Sequence, residues 1–146
     1  MLKPLLFASL LIVASSSMAE ARNTRILLKI QDVISSSDFQ EKVGNSIPFY
    51  FADQPQPQVL QNLGEFVTHK KTNAFGKSDE SACQWAMLSA LIQLRDRAVA
   101  EGGNAVVNVV SYYDRNEIPD KSEYECHAGA VVAGVALKGT VAKTQK

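Results

Sequence analysis

The chain is poor in the residues that build nucleic-acid, redox and membrane-spanning sites. Its 146 residues include two cysteines, two histidines and one tryptophan, and 15 basic side chains balance 15 acidic ones. The lack of a strongly basic stripe argues against nucleic-acid binding. The two cysteines are not spaced as CxxC, which argues against dithiol redox chemistry. After the N-terminal leader, no apolar run approaches the roughly 20 residues that a membrane-spanning helix needs.

The leader itself has the three parts of a secretory signal. Lys3 supplies the positive start, residues 5–14 form the apolar run, and small residues follow it. This pattern predicts a signal peptide over residues 1–21, cut after Ala19 or Ala21. No cysteine lies at either junction to carry a lipid. An uncleaved N-terminal anchor is the alternative; with cleavage, no stable membrane span is expected.

The remaining residues, 22–146, have the length of one domain, and no repeat or linker divides them. We therefore expect the mature protein to be periplasmic or secreted. Both cysteines, Cys83 and Cys126, lie in this part. In an oxidising compartment an even pair is most simply a disulfide, with two buried free thiols or a redox-active pair as the alternatives.

Hydrophobic periodicity predicts seven elements in the order β-α-β-β-α-β-β. The strands are expected over residues 24–30, 47–51, 64–71, 104–113 and 127–138, and the helices over residues 37–44 and 79–101. Pro48 cannot donate to a ladder, which predicts that its strand lies at a sheet edge. The sequence therefore predicts an α/β (α+β) two-layer sandwich, with two helices on a mostly antiparallel or mixed sheet.

The join between the long helix and the next strand is the most informative local feature. The segment GGNAVVNV occupies residues 102–109. Gly102 and Gly103 are expected to end the helix, because glycine readily takes the positive φ found at helix ends. The last strand consists almost wholly of Ala, Gly and Val, and these small side chains should let the long helix lie close over the sheet.

The second half of the chain resembles a known family. The helix containing Cys83, the GGNAVVNV strand and the segment ECHAGAVVAGVAL at 125–137 resemble the exported domain of the RcsF envelope-stress lipoproteins. The resemblance covers roughly residues 83–139 and implies an α/β fold with a disulfide between Cys83 and Cys126. The positions that match the second disulfide of that family fall near Ser111 and at Val132, and the lipid-modified cysteine is absent.

Most of the mature chain is also similar to small exported bacterial proteins labelled "excinuclease ATPase subunit". The shared segments are KTNAF at 71–75, ACQWA at 82–86, GGNAVVN at 102–108 and YECHAGAVVAGVAL at 124–137. The label conflicts with the sequence. Gly76, Lys77 and Ser78 match only the end of a phosphate-binding loop, and Lys71 stands where that loop needs its first glycine. We interpret these residues as a turn and helix cap.

A polar loop before the long helix carries the candidate contacts for a partner or an anion: Lys70, Lys71, Asn73 and Lys77. Helix starts attract anions because their backbone donors are unpaired. Asp79 and Glu80 already occupy this favourable end, which argues against a strong anion site. A purely structural loop is the alternative.

No catalytic constellation is predicted. Cys126 and His127 are neighbours on a strand, so their side chains point to opposite faces. A zinc site built from the two cysteines with His69 and His127 would lack the closely spaced ligand pairs that structural zinc sites use. The sequence therefore predicts no catalytic residue, no resident metal and no cofactor.

We expect a non-enzymatic periplasmic domain that binds a protein partner or a cell-envelope component, in the context of envelope stress. The alternative is a small-molecule or metal-binding module, and a hydrolase is the least favoured class. An exposed apolar patch would favour the first function. A concave pocket with convergent polar groups would favour the second.

Overall fold

The computed structural model describes residues 21–146, so the predicted signal peptide lies outside the described residues apart from Ala21. The described part is an α+β unit of six strands in one mixed sheet with three helices, which confirms the predicted fold class. The elements are β1 (Thr24–Lys29), α1 (Ile30–Ile34), α2 (Ser37–Lys42), β2 (Phe49–Phe51), β3 (Val59–Asn73), α3 (Asp79–Ala100), β4 (Ala105–Ser111), β5 (Glu123–Ala128) and β6 (Val132–Thr144). A single 3-10 turn, Tyr113–Arg115, lies between β4 and β5.

Strand β6 is the centre of the sheet. It pairs with β3 along one edge, and along the other edge with β5 near its start and β4 further on, always antiparallel. Outside these, β1 pairs with β5 antiparallel and β2 with β4 in parallel. The short β2 is an outer strand of the order β1-β5-β6-β4-β2, as Pro48 predicted. The carbonyl of Pro48 accepts a hydrogen bond from the N–H of Val106, so Pro48 bonds to β4 without a backbone N–H of its own.

The core lies between α3 and one face of the sheet. Ala86, Ala90 and Leu94 of α3 are buried against strand residues that include Val135 and Leu137. Gly139 of β6, one residue past the predicted strand, allows close packing of β4 side chains. A Cβ at this position would lie 2.7 Å from Cγ1 of Val106, inside van der Waals contact, whereas Cδ1 of Leu94 in α3 would be at 3.9 Å. That the small residues of β6 bring α3 close to the sheet stays a prediction.

The predicted disulfide is confirmed and joins the two layers. Cys83 of α3 and Cys126 of β5 are both fully buried, and their Cα atoms lie 5.9 Å apart. The Cα separation is within the usual range for a disulfide. The bond therefore ties the long helix to the strand beneath it.

The two glycines of the helix-to-strand join act in different ways. Gly102 has φ of +76°, as predicted for a glycine that ends a helix, and space beside it is open. Gly103 instead lies under β6, where a Cβ would be 2.5 Å from Cγ1 of Val141 and 3.0 Å from the carbonyl oxygen of Ala142. The first glycine permits the backbone turn, and the second permits close packing.

The prediction of one strand over residues 127–138 is wrong. The structure places a turn inside this range, so that β5 and β6 form a hairpin, and the N–H of Gly129 donates to the carbonyl of Val132 across it. The run of Ala, Gly and Val continues through the turn without a polar residue. Gly129 is the turn-favouring residue there, but glycines also lie inside the strand that follows, so the sequence predicted β5 and β6 as one strand.

Other features also differ from the prediction. Strand β3 begins at Val59 rather than at residue 64, with irregular pairing before Glu65 and φ of +116° at Gly64. An unpredicted short helix, α1, follows β1 directly and buries Ile30 and Val33. The cap of α2 is Ser36, one residue earlier than the predicted capping box, and its Oγ accepts from the N–H of Phe39.

Candidate functional site

A polar cluster lies on the sheet face opposite the helices, which we call the outer face. Side chains alternate along a strand, so Tyr124 and Cys126 enter the core whereas Glu125 and His127 lie on the outer face. Three more elements contribute to the same place. The outer-face cluster consists of Arg25 from β1, His69 from β3, Tyr113 from the 3-10 turn, and Glu125 and His127 from β5.

Glu125 is the anchor of the outer-face cluster. Only 6% of this residue is exposed, so its carboxylate is buried. Oε1 lies 2.6 Å from Nε2 of His127, and Oε2 lies 3.2 Å from a guanidinium nitrogen of Arg25. A buried carboxylate needs such partners, because the loss of water would otherwise be very costly. The two partners fix the position of Glu125.

His127 has one ring nitrogen in use and one unpaired. Because the Glu125 carboxylate can only accept, Nε2 of His127 donates the hydrogen bond between them. Nδ1 is buried and has no hydrogen-bond partner among residues 21–146. A buried polar nitrogen without a hydrogen-bond partner costs free energy. A ligand that forms a hydrogen bond with this nitrogen would therefore be stabilised in the cluster.

Both histidines of the chain contact one tyrosine ring. Tyr113 stacks on His127 with ring centroids 3.5 Å apart and planes 10° apart. His69 meets the same tyrosine edge-on at 5.5 Å. Burial raises the pKa of the Tyr113 phenol, and the nearby charges of Asp114 and Glu125 raise it further. Tyr113 therefore stays neutral at physiological pH and covers the histidine pair.

The backbone that carries Tyr113 is strained. Asp114 and Arg115 have φ of +51° and +64°, a conformation that costs a residue with a Cβ about 1–2 kcal/mol. These two residues also line two open grooves. A groove of about 560 Å³ contains Glu125 and His127, and one of about 500 Å³ contains His69. The turn thus divides the outer face into two concave surfaces.

The polar loop before α3, which carries the predicted contact residues, is held in place by hydrogen bonds within the loop. Oδ1 of Asn73 accepts from the N–H of Phe75 at 2.9 Å, and Nζ of Lys77 donates to the Asn73 carbonyl at 3.1 Å. Lys70 and Lys71 are neighbours on β3 and so lie on opposite faces of the sheet. The structure brings Asn73 and Lys77 together and separates Lys70 from Lys71. Contact with an anion or a partner stays a prediction for all four residues.

The Gly76-Lys77-Ser78 segment is a turn and a helix cap, as interpreted from the sequence. Gly76 has φ of +72°, and Oγ of Ser78 accepts from the N–H of Ser81 in the first turn of α3. Lys77 is bonded back to its own loop. Asp79, the first residue of the helix, forms a two-bond ion pair with Arg22 at 2.9 Å, and this guanidinium holds the pKa of Asp79 below its usual value.

The same loop meets the β5–β6 turn and exposes apolar side chains. The N–H of Ala74 donates to the carbonyl of Val131 at 2.7 Å. Around this bond, Phe75 is 75% exposed, Val131 61% and Val132 44%. We call Phe75, Val131 and Val132 the apolar tip. Sequence reasoning missed it because Val131 and Val132 were assigned to the middle of a strand.

Comparison with protein-family models and with curated proteins finds no match to this chain. The resemblances to the RcsF lipoproteins and to the proteins with the excinuclease label therefore stay expectations from the sequence. Among residues 21–146, no three His, Cys, Asp or Glu side chains are grouped closely enough to hold a metal ion. No helix in the same part of the chain is both long and apolar enough to cross a bilayer.

Proposed function

We propose that this chain is an exported, non-enzymatic domain that binds a protein partner or a cell-envelope component through the apolar tip, in the context of envelope stress. The observation that carries the proposal is the grouping of Phe75, Val131 and Val132. Single exposed apolar side chains are ordinary on protein surfaces, whereas apolar side chains grouped on adjoining turns mark an interaction surface.

The rigidity of the apolar tip supports the same function. The Ala74–Val131 hydrogen bond joins its two turns, and the Asn73 side chain braces the loop that carries Phe75. Binding through a surface that is already ordered avoids the entropy cost of ordering it. Contact through the tip would therefore require little rearrangement of the protein.

Export is supported by the leader sequence and by the buried disulfide. Disulfides persist in oxidising compartments such as the periplasm and are rare in the cytoplasm. The bond between Cys83 and Cys126 is thus the structural feature to expect in an exported chain. The location itself is part of the proposal.

Site-specific cross-linking tests the proposed function. A photo-reactive phenylalanine analogue would replace Phe75 in one variant and Leu60 in another, because Leu60 is 64% exposed but lies at the far end of β3. Illumination of living cells, followed by mass spectrometry, should give a cross-linked adduct to a protein or to another envelope molecule at position 75 and none at position 60. Equal adducts at both positions, or no adduct of either kind at position 75, would reject the apolar tip as the binding surface.

A small-molecule module is the second candidate, and the unpaired Nδ1 of His127 favours it. His127 lines an open groove that also contains Arg25 and Glu125. The arrangement offers a concave surface with convergent polar groups, which is typical of ligand sites. NMR screening against periplasmic metabolite extracts is the test. Chemical-shift changes confined to His127 and Tyr113 would favour this function, and unchanged shifts would exclude ligands in those extracts.

A further inference from the structure

We propose that the occupant of the apolar tip is a membrane surface that bears anionic headgroups. This inference deepens the proposed function, because it rests on the apolar tip and names the envelope component that the tip contacts. Three observations carry it: the exposure of the tip, the cations beside it, and the place where the N-terminal segment joins the fold.

The apolar tip has the shape and composition of a shallow membrane contact. Phe75 and Val131 project from two turns at one end of the sheet, and both are mostly exposed. Apolar side chains on such loops can enter the boundary between headgroups and acyl chains, where burial of their surface is favourable. Val132 widens the same surface, because it follows Val131 directly and is also exposed.

Basic residues lie on both sides of the apolar tip. Lys71 precedes the loop on the outer face of β3, close to Gly134 of β6, and Lys77 follows Phe75 within the loop. Residues 71–80 carry two lysines and two acidic residues, Asp79 and Glu80. Because Asp79 is paired with Arg22, these residues and Arg22 together have a net charge of +1. Lysines at a membrane surface attract anionic lipids by about 1 kcal/mol each.

The N-terminal segment joins the fold at the same end. A Cβ at Gly129 in the β5–β6 turn would lie 2.8 Å from the carbonyl oxygen of Arg22, so the chain enters directly beside this turn. Cleavage after Ala21, one of the two predicted sites, would make Arg22 the first residue. Its new amino group would then lie beside this turn and add positive charge there.

Vesicle sedimentation tests this inference with the mature, disulfide-bonded protein. Vesicles of phosphatidylethanolamine with phosphatidylglycerol should bind the protein, and vesicles of phosphatidylcholine alone should bind it much less. The F75S/V131S double variant should bind the anionic vesicles at least about tenfold more weakly, because two buried apolar side chains are lost. Lys71→Gln and Lys77→Gln should each weaken binding about fivefold, with a reduced dependence on salt.

The control is V99S, because Val99 is 61% exposed like Val131 but lies near the end of α3. This variant should bind like the parent, and circular dichroism should show that every variant is folded. Absence of binding to anionic vesicles, or an equal loss in V99S and F75S/V131S, would overturn the inference. A protein cross-link at position 75 without vesicle binding would reject the membrane as occupant and leave the proposed function intact. Failure of both experiments would reject both.

Discussion

The N–H of Ala74 donates a 2.7 Å hydrogen bond to the carbonyl oxygen of Val131, which joins the loop before α3 to the turn between β5 and β6. These two segments are 57 positions apart in the chain, yet together they form the apolar tip. The bond is short for an N–H···O contact and holds both turns in place. The proposed binding function depends on this junction, since neither turn alone presents the full apolar surface.

The disulfide is expected to supply a large share of the stability. A cross-link over a separation of 43 residues restricts the unfolded chain and is worth about 4 kcal/mol on the chain-entropy model. The Cys83→Ala/Cys126→Ala double variant should therefore unfold at a clearly lower urea concentration than the oxidised parent. Urea melts followed by circular dichroism would measure this difference. If the variant and the oxidised parent have the same midpoint, the bond does not stabilise the fold.

The two join glycines should respond differently to substitution. Gly102→Ala should cost about 1 kcal/mol, because φ is positive but the surrounding space is open. Gly103→Ala should cost more, about 1–3 kcal/mol, because the new Cβ would overlap Val141 and the backbone of Ala142. The free energies of unfolding from urea melts would rank the two variants. A larger loss at Gly102 would mean that backbone strain, and not packing, dominates the join.

Tyr124 carries a buried hydroxyl without a hydrogen-bond partner among residues 21–146. Removing an unpaired polar group removes its desolvation cost, so Tyr124→Phe should be neutral or stabilising by up to about 1 kcal/mol. The matched control is Tyr50→Phe, at a partly exposed position. A loss of more than about 1 kcal/mol in Tyr124→Phe alone would show that the hydroxyl has a partner, such as a bound water.

The buried phenol of Tyr124 should also make the free energy of unfolding decrease at alkaline pH. Burial raises the pKa of the Tyr124 phenol, with smaller contributions from the charges of Asp32 and Glu80. The folded state therefore holds this proton more tightly than the unfolded state does. Its contribution to stability is complete below the unfolded pKa of about 10 and is lost as the pH rises above that value. Tyr124→Phe should reduce this alkaline loss in urea melts between pH 8 and pH 11.5, and an identical pH profile for parent and variant would contradict the assignment.

The buried carboxylate of Glu125 should be more important than its exposed partner. Glu125→Ala leaves Nε2 of His127 without its acceptor and should cost about 1–3 kcal/mol. Arg25→Ala should cost less, at most about 1 kcal/mol, because half of the Arg25 side chain is exposed to water. The His127 ring resonances should also shift in Glu125→Ala but not in Arg25→Ala. Equal losses in the two variants would show that the ion pair, and not the histidine contact, holds the cluster.

The sequence predicted the parts of this fold that follow from local patterns. The α3 helix has helical spacing of its apolar residues and a serine cap. The predicted strand containing Pro48 was expected at a sheet edge because proline has no backbone N–H to donate, and β2 lies there. The β5–β6 turn could not be predicted in this way. Gly129 is its turn-favouring residue, but Gly134 and Gly139 lie within β6, and the turn continues the small apolar composition of this strand.

The candidate sites were harder to predict than the fold because they combine distant residues. His69 and His127 come together only because β3 and β5 flank the same strand, and Tyr113 reaches both from a strained turn. The strain at Asp114 and Arg115 has no sequence signal, since neither residue is glycine. Lys70, Lys71, Asn73 and Lys77 could be selected from the sequence because they lie within eight consecutive residues, but their contact with a partner or an anion stays a prediction.

The central claim is that the apolar tip binds a component of the cell envelope. The most direct measurement is the affinity of the purified, disulfide-bonded protein for isolated cell envelopes, compared for two double variants. F75S/V131S removes two apolar side chains from the tip, and L60S/V99S removes two of similar exposure elsewhere. The account predicts that F75S/V131S loses at least about tenfold in affinity, because the buried apolar area is lost, while L60S/V99S binds like the parent. Equal affinities for the two double variants would contradict it.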